Sequence, residues 1–168
     1  MTTTTMPSEQ RACRADPDVD IGACVADALG VAESYARHRA LYEALYGYTR
    51  YDRATHALTV RAHHFHAVML SAQRGATAHT ALGARPLPIF RSGTNIRVLL
   101  TASPAPEDDP VQAALDLFKS GAMVVGAGAE LALPTPGEDR REWLCGLPTG
   151  ILPPYSEVVT AITGSRRG

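Results

Sequence analysis

The side chains best suited to chemistry cluster around one short run, where His63, His64 and His66 stand close together with His56 and His79 to either side. Imidazoles at i and i+2 of an extended strand point to the same side, so His64 and His66 offer two nitrogen ligands to a metal ion. A transition-metal centre needs a third ligand, and no Cys, Asp or Glu stands at ligand spacing beside them. The histidines are therefore read as packed or solvated, with no metal expected. Cys13, Cys24 and Cys145 are odd in number, scattered and without CxxC spacing, which points to reduced thiols and not to a disulfide framework. Gly126 and Gly128 follow an apolar run, but a dinucleotide loop needs a third glycine and an immediate helix, which residues 131–136 oppose. Ser92 and Ser120 each precede a glycine without completing GxSxG. No nucleophile, base and orienting group stand together, so the expectation is a non-enzymatic protein without a cofactor.

The elements that must carry these residues follow from periodicity. Apolar residues at three-and-four spacing from Ile21 through Ala36, continued by Leu41, Tyr42, Leu45 and Tyr46, predict a helix over Ile21 to Tyr46, weakened by Gly22 and Gly30 and capped by Asp18 or Asp20. After Gly47 the period changes to that of strands. A short strand, a turn over Asp52 to His56 and a longer strand over Ala57 to Leu70 are expected, with a bend near His63 and His64. The Ala-, Gly- and Thr-rich stretch from Ser71 to Pro88 has no sustained period and reads as a loop or hairpin connection. Residues 95–102 form a buried strand. Asp108 or Asp109 caps a helix beginning at Pro110, with Val111, Ala114, Leu115 and Phe118 on one face and Gly121 as its terminator. A strand over Ala122 to Leu131 follows. By period alone, the intervening helix either crosses between parallel strands or flanks an antiparallel sheet. Five prolines make the last third mostly irregular, with a short helix near Tyr155 to Ile162 and with Glu142 and Trp143 anchoring it on the core.

All three phenylalanines, Phe65, Phe90 and Phe118, lie in strand-like or turn-like settings, and the latter two each precede a Ser-Gly pair. The segments HFHAVML, IFRSGTNIRVLLTA, PVQAALDLFKSG and AMVVGAGAELALP, over residues 61–134, resemble one repeat of the TATA-box-binding protein fold and the first strand of the next. The matching positions are Phe65, Ala67, Val68, Ile89, Phe90, Ser92 and Gly93, and more loosely Thr101, Met123, Val124 and Gly126. Against the family pattern, the connection from Val68 to Ile89 is longer and Thr94 stands in place of Lys. The resemblance implies a DNA-binding, transcription-related module that lays an apolar sheet face into the minor groove of double-stranded DNA. It implies Phe65 and Phe90 as a wedge pair between base steps, Val68, Val98 and Val124 lining the groove, and Arg61, Arg91 and Arg97 meeting phosphates.

Composition is consistent with either a nucleic-acid or a protein partner. The 168 residues are 45% hydrophobic, enough for one domain, and 16 basic against 17 acidic residues leave a formal charge of -1 and no global field toward nucleic acid. No apolar run reaches the ~20 residues of a membrane helix, and no secretory leader is evident, so an intracellular site, nuclear or cytoplasmic, without a membrane partner is expected. The expected organisation is a disordered arm over residues 1–18, an α+β core over residues 19–133 and a Pro-rich segment over residues 134–168 packed on that core. The core is read as a single domain, a curved antiparallel sheet with helices packed on one face. A second function class follows from the same apolar surface: a non-enzymatic structural or assembly protein whose apolar face is buried in a homo-oligomer or by a protein partner.

Overall fold

The helical period over residues 21–46 is realised as one continuous helix, α1 (Ile21–Tyr46). The computed structural model describes residues 21–83 and 86–164, with side chains from residue 29 onward. The arm over residues 1–18, the candidate caps Asp18 and Asp20 and the last four residues lie outside the described residues. Among the described side chains of α1, Tyr42 and Tyr46 are buried, whereas Leu29 and Val31 are exposed. Gly47, at φ 89°, ends the helix in the left-handed region that favours glycine. The strands β1 (Thr49–Asp52) and β2 (Ala57–Arg61) follow, joined by a turn in which the Asp52 carboxylate accepts hydrogen bonds from the Ala54 amide and the Thr55 hydroxyl.

The strand expected from Ala57 to Leu70 is divided at the two exposed histidines, His63 and His64. β2 belongs to one sheet and β3 (Phe65–Ser71) to another. The division flips the parity of the inward residues, so that Leu58, Val60 and Ala62 of the first part share a core with Phe65 and Ala67 of the second. The chain continues through α2 (Ala72–Ala81), β4 (Ile89–Ser92), β5 (Ile96–Ala102), α3 (Pro110–Lys119) and β6 (Met123–Val125). It closes with β7 (Glu130–Leu133), β8 (Arg141–Trp143) and α4 (Tyr155–Gly164). The strand expected over Ala122 to Leu131 is likewise split, into β6 and β7 in different sheets, because Gly128, at φ 84°, turns the chain between them.

The larger sheet is antiparallel throughout, in the order β6-β3-β5-β4-β8. Since β3 and β4 both run antiparallel to β5, and β5 and β6 both antiparallel to β3, α2 and α3 each cross between parallel strands separated by an antiparallel one. Both connections left open by the period are thus realised together, in the split β-α-β-β-α-β arrangement of ferredoxin-like topology. The α+β class and the antiparallel sheet agree with the sequence reading. α2, α3 and α4 pack on one face, where Val68, Leu70, Ile89 and Leu99 meet Ala78, Leu82, Leu117, Val158 and Ile162. The other face is covered as well. Phe65, Phe90, Val98 and Leu100 lie beneath Tyr42 and Tyr46 of α1 and beneath Leu58, Val60, Leu131 and Leu133 of the smaller sheet, β1-β2-β7.

The stretch expected to be a loop after Ser71 is instead the helix α2. Ser71 caps it, its hydroxyl accepting from the Arg74 amide, and the Ala, Gly and Thr composition that hides its period lets it approach the sheet closely. A Cβ at Gly75 would lie 2.6 Å from Cβ and Cγ of Arg97. The Pro-rich final segment packs on the core through Tyr155, Val158 and Ile162, and the Pro153 carbonyl accepts from both the Ala102 amide and the Thr101 hydroxyl at 2.9 Å.

Candidate protein interface

α3 is held in one rotational setting by both of its ends. The Asp109 carboxylate accepts from the amides of Val111 and Gln112 at 3.1 and 3.0 Å, and Pro110 supplies a preset φ. At the other end Gly121, at φ 71°, and the Ala122 amide, bonded to the Leu117 carbonyl at 2.9 Å, turn the chain directly into β6. In this setting Leu117 and Ala113 face the core, and of the stripe read from the sequence Val111, Leu115 and Phe118 face away from it while Ala114 is half-buried. Val111 is 70%, Leu115 49% and Phe118 74% exposed. An amphipathic helix ordinarily buries such a stripe.

The stripe continues onto the sheet edge. β6 pairs with β3 alone, so its outer side meets no strand among the described residues. Met123, 61% exposed, stands opposite Met69 in the register. Met69, Ile96, Phe118, Gly121, Ala122 and Met123 line a mostly apolar groove of about 450 Å³ that runs from the α3–β6 turn across the ends of β3 and β5. Of these, Phe118 and Met123 were legible as apolar residues flanking a Ser-Gly turn; Met69 and Ile96 join them only through strand pairing.

The residues assigned to DNA are placed otherwise. Phe65 and Phe90 are each 1% exposed, where the wedge role requires both rings at the surface. The physical reason is the covering layer: Tyr46 lies 5.1 Å from Phe65 and Trp143 5.1 Å from Phe90, centroid to centroid. Val98 shares that buried face, whereas Val68 points to the helices on the opposite one. Arg61 lies on the smaller sheet beside a depression of about 390 Å³, where Glu130 faces both Arg50, at 2.6 Å, and Arg61, at 3.7 Å. Arg91 donates to Glu142 at 2.8 Å, and Arg97 packs over Gly75 with its Nη1 buried and without a partner. The set therefore does not converge on one surface.

The histidines also separate. His63 and His64 have rings 6.3 Å apart, while His66 turns inward, 5.8 Å from the Tyr155 ring, where burial lowers its pKa. Among the described residues no three His, Cys, Asp or Glu side chains gather where a metal could be held. One pairing escaped the sequence reading: Sγ of Cys145 lies 3.5 Å from Nε2 of His79. The two stand 66 positions apart with no local motif to join them. No described carboxylate or amide hydrogen-bonds His79 to complete a nucleophile–base–orienter set. No described helix is long and apolar enough to cross a membrane. No protein-family model, curated protein or solved structure matches the chain.

Proposed function

We propose that this protein is a non-enzymatic assembly module whose α3 and β6 edge docks against another protein surface. The observation that carries this reading is the apolar stripe of a helix capped at both ends and nonetheless turned outward, with Val111, Leu115 and Phe118 continuing into Met123. Burying a Val, Leu, Phe or Met side chain fully contributes roughly 1.5–3 kcal/mol, so four of them supply a driving force that exceeds the ordering of their own rotamers. The chemistry of the patch favours a protein over nucleic acid. Asp109 and Asp116 accompany Lys119 at its border, which leaves no excess of cations for a phosphate backbone.

A photoreactive benzoylphenylalanine placed at position 118 tests this reading. Irradiation should give a discrete protein adduct from position 118 and none from the same reporter at Tyr48, which is exposed beside the smaller sheet. An absence of adduct at 118, or equal adducts at both positions, would refute it.

A further inference from the structure

Resting on that reading, the geometry points to a second copy of this chain as the occupant of the edge. The two copies are related by a two-fold axis that pairs β6 with its counterpart and lays the two α3 helices side by side in opposite directions. A strand paired with its own copy about such an axis is antiparallel, the pairing used throughout this sheet, so the ladder continues from β8 of one copy to β8 of the other. α3 enters β6 through a tight turn and flanks the same edge, so the operation that joins the strands also brings the helices together. Their macrodipoles then oppose one another favourably.

The residues of α3 are self-complementary under this operation. With the axis passing near Leu115, the small Val111 of each copy faces the large Phe118 of the other, and the two Leu115 side chains meet at the centre. Charge follows the same symmetry. The turn before α3 carries Glu107, Asp108 and Asp109, and its last turn carries Lys119. An antiparallel pair sets each acidic turn against the other copy's Lys119, whereas a parallel pair would set like charges together.

Sedimentation equilibrium of the full chain tests the assignment. Wild type should show twice the 17.9 kDa of one chain, and Leu115→Glu with Phe118→Glu should show the single mass. Should that variant lose its native circular dichroism, Met123→Lys at the exposed strand edge replaces it, with the same expected loss. Lys119→Glu and Glu107→Lys should each raise the dimer dissociation constant roughly fivefold, and the two together in one chain should restore it. Failure of the double exchange to restore association would overturn the antiparallel arrangement. A wild-type mass of one chain up to near-millimolar concentration would overturn the second copy. In that case a heterologous adduct from position 118 would leave the docking surface standing, and no adduct would remove both.

Discussion

The two edges of the five-stranded sheet end the same rows of side chains in opposite ways. The row Trp143, Phe90, Val98, Met69, Met123 crosses all five strands. At its β8 end Trp143 is tucked against Tyr42, whose hydroxyl accepts from the indole Nε1 at 2.8 Å and donates to the Pro134 carbonyl at 2.6 Å. Arg141 and Glu142 beside it are ion-paired with Glu138 and Arg91. At its β6 end Met123 is exposed, and no charge stands in Met123–Val125. Charged side chains are a common guard against unwanted strand pairing. One edge is guarded by charge and partly covered through the Trp143–Tyr42 contact, although β8, like β6, pairs with a single strand. The other has the composition of an edge that is closed by another surface.

If the face beneath α1 is core, its aromatic residues should dominate stability. Phe65→Ala and Phe90→Ala should each cost about 3–5 kcal/mol in urea unfolding, with A·T-rich duplex neither retarded nor bent by the wild type. Unchanged stability with bending lost would restore the minor-groove reading. A smaller effect is expected at the guarded edge itself. Burial pushes the Tyr42 phenol up to about 12, so it stays protonated as a donor, and Tyr42→Phe should cost about 1–3 kcal/mol by leaving Trp143 and Pro134 without a partner. A loss no larger than that of an exposed Tyr48→Phe change would show that this contact contributes nothing.

Protonation gives a graded probe of the core between sheet and α4. His66 titrates below its ordinary 6.5 in the folded chain because burial disfavours the imidazolium. The unfolded chain then binds the proton more readily, so the His66 contribution is fully present above the unfolded value. It is lost as pH falls from there through the depressed folded value. Melting temperature should drop over that interval and flatten in His66→Gln; an unchanged slope would assign the dependence elsewhere.

The elements legible in the sequence are those whose period is strong and whose ends carry caps, such as α1, α3 with Asp109 and Pro110, and β5. Three features were not legible. α2 has no apolar period because its close approach to Arg97 demands small residues, notably Gly75. The apolar run through β6 and β7 reads as one strand, since period cannot report that its halves pair with different partners, β3 and β2. The burial of Phe65 and Phe90 depends on a layer drawn from residues as distant as Tyr42 and Leu133. The candidate interface was half visible: spacing identified the stripe on α3, but its outward direction follows from Leu117, which lies off that stripe and packs inward.

At the open edge, substitution should barely move stability. Phe118→Ser should change monomer unfolding by no more than about 0.5 kcal/mol, because the ring is already in water, and a larger loss would place Phe118 in the core of its own chain.

Amide hydrogen exchange measured across a range of protein concentrations compares the two edges directly. Protection at Met123–Val125 should rise with concentration while that at Arg141–Trp143 stays constant. Exchange at β6 that is independent of concentration, at levels where sedimentation would detect a dimer, would contradict this.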